Sequence, residues 1–95
     1  MSEAEFKAAV TYVTKGPTIP NLSNDLKLKF YGLFKQATHG PCKEKAPSRL
    51  QVVAKMKWDA YNKLGKMSQE EARQKYINSL QEVAPKWKNW RSAKL

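Results

Sequence analysis

Hydrophobic residues near the start of the chain recur every three or four positions. Such spacing places side chains on one stripe of an α-helix, and here the stripe consists of Phe6, Ala9, Val10 and Val13. Ser2 precedes Glu5 by three residues, the capping-box spacing that begins a helix. Gly16 and Pro17 follow the stripe, and both residue types end helices. The pattern predicts a first amphipathic helix and then a short linker over 17–22, with Pro20 and Asn21 as turn formers.

The helical spacing resumes near Ser23. Its apolar stripe contains Leu26, Phe30, Leu33 and Ala37. Gly40 and Pro41 close this second helix. The stretch His39–Pro47 contains two prolines and no hydrophobic periodicity, so it predicts an ordered loop.

Two further capping-box spacings predict a third and a fourth helix. Ser48 with Gln51 would start a helix whose apolar face is formed by Leu50, Val53, Ala54, Trp58 and Tyr61, and Gly65 would follow its end. Ser68 with Glu71 would start a helix whose apolar face is formed by Ala72, Tyr76, Leu80 and Val83. Pro85 removes a backbone donor and would end or kink this last helix.

These patterns predict an all-α protein of four helices joined by short loops. No segment shows sustained two-residue alternation, so no strand is predicted. A chain of 95 residues has room for one domain. We expect that domain to span 1–95, with a core over about 3–84 and a basic, tryptophan-containing tail over 85–95.

Cysteine and histidine usage restricts the chemistry. The single cysteine, Cys42, cannot form an internal disulfide, and with the single histidine, His39, it cannot build a four-ligand zinc site. No apolar run is long enough to cross a bilayer, and the acidic N-terminus does not resemble a signal peptide. We expect a reduced, metal-free protein without a cofactor in the cytoplasm, with an organelle as the other possibility.

The net positive charge of the chain predicts an anionic partner. Lysine and arginine total 18 against 8 acidic residues, a formal net charge of +10. Nucleic acid, anionic lipid and a phosphorylated small ligand are the three candidate classes. The tail contains Trp87 and Trp90 among cations, which suits base stacking or, alternatively, tryptophans packed on the core with solvated lysines. The cations are spread over all the predicted helices, which argues against nucleic acid.

The second helix carries the most informative cluster. Tyr31, Phe34 and Lys35 lie at positions i, i+3 and i+4, so two aromatic rings and a cation share one face. If the helices meet, Lys57 and Tyr76 would lie beside these three residues. The combined cluster of rings, hydroxyls and ammonium groups would suit a nucleotide with an extra phosphate. The alternative is that the aromatic residues are simply core.

Catalysis has little support in the sequence. Cys42 and His39 lie three apart in a predicted loop, with no identifiable third group to orient the imidazole. The pair Glu70-Glu71 is explained by the favourable position of acidic residues at a helix N-terminus. We therefore expect no catalytic residue and no enzyme activity.

Several strings of residues resemble one family. Tyr31-Gly-Leu-Phe-Lys-Gln-Ala-Thr-His-Gly40 and Lys55-Met-Lys-Trp-Asp-Ala-Tyr-Asn-Lys-Leu-Gly65 are similar to the two signatures of the acyl-CoA-binding protein family. The opening Glu5-Phe-Lys-Ala-Ala9 and the closing segment 68–77 also fit, so the resemblance covers about 3–83. It implies a four-helix up-down-down-up bundle.

By the same resemblance, the ligand is a long-chain acyl-coenzyme A that is held without being turned over. Tyr31, Lys35 and Lys57 would bind the 3′-phosphate and adenine region, Phe34 would pack near the adenine, and Tyr76 would support the ligand. The implied ligand-binding set is completed by Gly32, Leu33, Ala9 beside the acyl groove, and Thr14 at a family lysine position.

The sequence also departs from the family pattern. Phe34 stands where many members have tyrosine, Val53 replaces a basic residue, and Tyr61 replaces tryptophan, a change we interpret as repacking of the core. The implied function is binding, buffering and intracellular transport of long-chain acyl-CoA by a monomer, with transient contact to membranes or acyl-CoA-using enzymes and no nucleic acid. A basic helical module for nucleic acid or an anionic membrane surface is the alternative.

Overall fold

A computed structural model describes residues 3–20 and 22–90 of the chain. It contains four α-helices: α1, Glu3–Lys15; α2, Asn24–His39; α3, Val52–Asn62; and α4, Gln69–Val83. A single turn of 3₁₀ helix, Trp87–Asn89, follows α4. All regular elements in this part of the chain are helical, which confirms the predicted all-α class. No helix among the described residues combines the length and apolarity needed to cross a membrane.

Two of the predicted helix starts are formed by serine caps. The Ser23 hydroxyl accepts a hydrogen bond from the Leu26 N–H (3.1 Å), and the Ser68 hydroxyl accepts one from the Glu71 N–H (3.0 Å). Each bond satisfies a backbone donor that the first helical turn leaves unpaired. Ser2, which we predict to cap α1, and Asn21, which we predict to form a turn, lie outside the described residues.

The predicted start of α3 is wrong. The helix begins at Val52, and the Ser48 hydroxyl accepts a hydrogen bond from the Leu50 N–H (3.1 Å) in a turn that precedes it. The predicted apolar face is correct at Tyr61, which is buried, and at the half-buried Trp58, but wrong at Leu50, Val53 and Ala54, which are exposed. The physical reason is that α3 makes its extensive contact with α2 alone, so only a narrow stripe of α3 is covered.

The directions of α2, α3 and α4 follow from the residues that meet across their interfaces. Along α2 and α3 the residue numbers rise together, since Lys57 lies beside Tyr31 and the Gln36 side chain donates to the Gly65 carbonyl. The two helices are therefore parallel. Along α2 and α4 the numbers run in opposite senses, because Phe30 contacts Tyr76 whereas Gln69 donates to the Ala37 carbonyl.

Helix α1 runs parallel to α4. The Phe6 ring contacts Tyr76 near the middle of α4, and Tyr12 shares a small cavity with Val83 at its end. The four directions are up, down, down and up, which confirms the predicted bundle. The core lies where α1, α2 and α4 meet, and its largest fully buried side chains include Leu33 and Leu80.

The basic tail begins as part of this core. Trp87 is 3% exposed, and its ring lies edge-on to Tyr12 with centroids 6.4 Å apart. Lys88 forms an ion pair with Glu5 of α1 (2.8 Å). The packing alternative for the tail tryptophans therefore holds for Trp87, while residues 91–95 of the tail lie outside the described part of the chain.

Gly32 allows α2 and α3 to approach closely. A Cβ at this position would lie 2.5 Å from the Ala60 carbonyl oxygen, a backbone atom that cannot rotate away. Any side chain here would force the two helices apart. Gly32 is thus a packing residue of the interface that carries Tyr31 and Lys57.

We expect Gly32→Ala to destabilise the fold, although glycine to alanine usually stabilises a helix interior by about 0.5–1 kcal/mol. Overpacking of a tight interface costs about 1–3 kcal/mol. Urea unfolding followed by circular dichroism measures the free energy of unfolding. Lys27→Ala, an exposed change in the same helix, is the control and should change it by less than about 0.5 kcal/mol. A higher unfolding midpoint for Gly32→Ala would contradict the close approach.

Candidate functional site

Tyr31 of α2 and Lys57 of α3 meet on the outer surface of the parallel helix pair. The Lys57 ammonium nitrogen lies 5.6 Å from the centroid of the Tyr31 ring, within the range of a cation–π contact. The close packing of Gly32 against Ala60 creates this pairing. Tyr31 is adjacent to Gly32, and Lys57 lies one helical turn before Ala60. The structure therefore brings together an aromatic ring and a cation that are 26 positions apart in the sequence.

Lys35 adds a second cation one turn further along α2. Its ammonium nitrogen lies 3.4 Å from Glu44 and 5.8 Å from the centroid of the Tyr61 ring. The Glu44 side chain is 54% exposed, so this ion pair contributes little to stability and an anionic ligand can compete for the lysine. The Lys35 side chain is 19% exposed and thus partly fixed in place.

The loop between α2 and α3 is held against this cluster by two hydrogen bonds. Gly40, with a φ of 78°, ends α2 in a conformation that favours glycine, and its carbonyl accepts a hydrogen bond from the Tyr61 hydroxyl (2.7 Å). Burial raises the pKa of that hydroxyl, which keeps it protonated as a donor. The Trp58 indole N–H donates to the Glu44 carbonyl (2.9 Å). Tyr61 and Glu44 are site residues that sequence reasoning missed, and nothing in the local pattern marks Glu44.

Phe34 lies at the edge of a cavity of about 530 Å³. Its ring stacks on Phe6 with centroids 6.5 Å apart, so α1 supplies the opposite wall. The lining combines apolar side chains with the cations Lys7 and Arg73, the carboxylate Glu3, the amide Gln69 and the hydroxyls of Thr11 and Thr38. This mixture suits a flat ring that carries polar or anionic groups.

A larger cleft of about 920 Å³ separates α3 from α4, with α2 as its floor. Its apolar lining consists of Leu26, Leu28, Leu33, Met56, Ala60, Leu64 and Met67. Polar and charged side chains of both signs complete the lining: Asp25, Lys29, Asp59, Lys63, Lys75, Asn78, Ser79 and Glu82. Leu28 stands one turn before Tyr31, and Met56 is the neighbour of Lys57. The cation–aromatic cluster therefore lies between this cleft and the cavity beside Phe34.

Three members of the predicted ligand-binding set, Ala9, Tyr76 and Thr14, line neither the cleft nor the cavity beside Phe34. Ala9 is completely buried, so the structure does not place it on a groove. The Tyr76 ring is 2% exposed between Phe6 and Phe30, and burial raises the pKa of its hydroxyl. Thr14 is exposed on α1 and donates to the Val10 carbonyl (2.8 Å). The ligand roles of these residues, and of the buried Gly32 and Leu33, stay predictions.

His39 and Cys42, the residues considered for catalysis, lie at the end of α2 and in the loop that follows it. His39 is exposed as the last residue of α2, and Cys42 is half-buried with its sulfur 4.0 Å from the Glu44 carbonyl oxygen. Among the described residues, no group of three or more His, Cys, Asp or Glu side chains could hold a metal ion.

The fold and the surface together define a small helical domain with a cationic, aromatic face on its parallel helix pair. A family model described as acyl CoA binding protein matches residues 3–80. The chain belongs to the acyl-CoA-binding protein family.

Relatives and solved structures agree with this assignment. The chain is 42% identical over 85 residues to acyl-CoA-binding domain-containing protein 1 of Arabidopsis thaliana, covering 86% of this chain and 25% of that protein. It is 42% identical over 96 residues to acyl-CoA-binding domain-containing protein 4 of Oryza sativa subsp. japonica, covering 97% of this chain and 28% of that protein. The chain thus spans about a quarter of the length of these relatives.

Two solved structures match over most of both chains. The crystal structure of ACBP from Moniliophthora perniciosa has a TM-score of 0.84 and 37% identity, covering 92% of this chain and 84% of that one. The solution structure of acyl CoA binding protein from Babesia bovis T2Bo has a TM-score of 0.80 and 46% identity, covering 94% and 100%.

Proposed function

We propose that this protein binds long-chain acyl-CoA without covalent attachment or turnover, and that it buffers and transports this ligand inside the cell. Family membership supports the ligand class. The observation that carries the proposal is the juxtaposition of Lys57 with Tyr31, next to Lys35, on a surface flanked by a cleft and a cavity that both contain apolar side chains.

The phosphates of the coenzyme would bind at the two lysines. An ammonium group is a compact point charge that can contact any of several phosphate oxygens. Lys57 lies over the Tyr31 ring and forms no ion pair with any residue of 3–20 or 22–90, and Lys35 can exchange its exposed partner Glu44 for a phosphate. Two lysines on one surface suit a ligand with more than one negative charge.

The remaining parts of the ligand would extend in opposite directions from the lysines. The adenine would lie beside Phe34, where the 530 Å³ cavity offers a ring face and polar groups. The acyl chain would run past Leu28 and Met56 towards the 920 Å³ cleft, because these side chains continue the cluster towards the N-terminal ends of α2 and α3. Each buried methylene contributes about 0.8 kcal/mol, so even partial shelter favours binding of the chain.

The cellular setting belongs to the same proposal. A monomer in the cytoplasm that contacts acyl-CoA-using enzymes transiently would fulfil the transport role. The matching domain also occurs in human enoyl-CoA delta isomerase 2, where the 45% identical segment of 62 residues covers 16% of the protein. A binding domain of this family can thus form part of an enzyme chain, while we propose no reaction for the present one.

Calorimetric titration tests the two-part site. Palmitoyl-CoA, octanoyl-CoA, free coenzyme A and palmitate are titrated in parallel. We expect one site, with affinity that rises with acyl chain length and with weak binding of coenzyme A and palmitate alone. Equal affinity for coenzyme A and palmitoyl-CoA would show that the chain is not sheltered, and the proposal would fail.

A further inference from the structure

The exposed large hydrophobic residues of the described chain are concentrated in one stretch of seven positions. Leu50 is 92% exposed, Val53 64%, Val52 61% and Met56 44%. Exposed apolar side chains on soluble proteins are usually scattered singly, and contiguous ones mark interaction surfaces. We call these four residues the α3 apolar patch.

The ligand cavities do not account for this patch. Leu50, Val52 and Val53 line neither the 530 Å³ cavity nor the 920 Å³ cleft. Met56 alone lines the cleft, one helical turn after Val52 and Val53. The patch is therefore a continuation of the cleft onto the outer surface.

Positive charge surrounds the patch. The segment 43–57 contains one acidic residue, Glu44, and five cations: Lys43, Lys45, Arg49, Lys55 and Lys57. Glu44 lies against Lys35, and Lys55 pairs with Asp59 (2.8 Å). Lys43, Lys45 and Arg49 are exposed. An apolar patch with a cationic border is complementary to a surface whose outer layer is anionic and whose deeper layer is apolar.

We propose that the α3 apolar patch docks on anionic lipid membranes, with Leu50, Val52 and Val53 entering the headgroup region and the bordering cations contacting lipid phosphates and carboxylates. The role that we assign to this docking, transfer of acyl chains between membrane and protein, rests on the proposed function. A membrane-bound patch would place the cleft mouth at Met56 beside the lipid, so that an acyl chain could pass between bilayer and protein without crossing water.

A bilayer fits the patch better than a protein partner does. Protein interfaces are anchored mainly by tryptophan, tyrosine and arginine in packed centres, whereas the patch at the start of α3 consists of Leu, Val and Met side chains. A second copy of this chain is disfavoured, because a two-fold contact through the patch would bring the cationic borders of both copies together.

Vesicle co-sedimentation of the ligand-free protein tests the docking. Vesicles of phosphatidylcholine mixed with phosphatidylserine are compared with vesicles of phosphatidylcholine alone. We expect Leu50→Ser to weaken binding to the anionic vesicles about tenfold and Arg49→Gln to weaken it about fivefold. Lys66→Gln removes the same charge beyond the far end of α3 and should change it less than about twofold.

Palmitoyl-CoA titration of the same variants separates this proposal from the function itself. We expect Leu50→Ser to leave the palmitoyl-CoA affinity unchanged. A loss of that affinity with unchanged vesicle binding would show that the patch is a wall of the ligand groove and would overturn the docking. A concentration-dependent dimer that Leu50→Ser dissociates, with vesicle binding intact, would also overturn it in favour of a second copy.

The two proposals can fail independently. Vesicle binding that depends on Leu50 in a protein that does not bind palmitoyl-CoA would support docking and refute the proposed function. Equal weakening of vesicle binding by Arg49→Gln and Lys66→Gln, with no effect of Leu50→Ser, would show a diffuse attraction of the whole basic chain and would overturn docking through the patch.

Discussion

Replacing Lys57 with alanine should weaken palmitoyl-CoA binding by about 10- to 100-fold. A hydrogen bond to a charged group is worth about 1.5–3 kcal/mol, and each 1.4 kcal/mol corresponds to about a factor of ten in affinity. Lys57 stands over the Tyr31 ring and forms no ion pair within the described part of the chain, so its removal leaves the surrounding packing intact. The loss should therefore appear in ligand binding and not in the free energy of unfolding.

Lys55→Ala provides the matched control. Lys55 lies two positions away on the same helix, but it pairs with Asp59 and stands over Trp58 (5.1 Å to the ring centroid). Because Lys55 faces away from Tyr31, its loss should change the palmitoyl-CoA affinity less than about threefold, since exposed charges at the edge of a site contribute little. Titration calorimetry measures both variants, and free coenzyme A should lose affinity in parallel in Lys57→Ala. Equal losses in the two variants would mean that only total charge matters.

Replacing Trp87 with alanine should reduce the free energy of unfolding by about 3–5 kcal/mol, the usual cost of truncating a buried large aromatic residue. Trp87 is 3% exposed, lies edge-on to Tyr12, and donates its indole N–H to Gln81 (3.2 Å). Domains of this size are stable by about 5–15 kcal/mol in total. The change would therefore remove a large part of the stability.

Chemical denaturation of Trp87→Ala is compared with Lys88→Ala, its exposed neighbour. Lys88→Ala removes the ion pair with Glu5 and a cation over the Trp87 ring, and it should cost less than about 1 kcal/mol. Trp87→Phe retains an apolar ring and should show an intermediate loss. An unchanged midpoint for Trp87→Ala would mean that residues after Pro85 do not contribute to the fold.

The bundle was predictable because its signals are local. The stripes of α1, α2 and α4, the serine caps at Ser23 and Ser68, and the stop at Gly40 all depend on neighbours within a few positions. A serine hydroxyl three residues from a free N–H needs no distant partner to form its bond. The α3 start was mispredicted because the same local signal at Ser48 closes a turn instead.

Helical geometry alone predicted the α2 part of the candidate site, and the family resemblance added Lys57 of α3. Tyr31, Phe34 and Lys35 share a face by helical geometry alone. The sequence did not predict the stacking of Phe34 on Phe6 or the contacts of Lys35 with Glu44 and Tyr61. These contacts depend on how three elements of the fold are arranged in space. The same arrangement buried Ala9 and Tyr76, which the resemblance had placed at the ligand.

The sequence by itself determined that the chain is all-α, where three of its four helices begin or end, and the family to which it belongs, because propensity, capping and motif are written in adjacent residues. Only the tertiary structure decided that Lys57 stands over Tyr31 and that the apolar start of α3 remains uncovered. Both depend on how closely and on which side α3 packs against α2, and a contact between helices is fixed by the fit of both surfaces, which neither segment specifies alone.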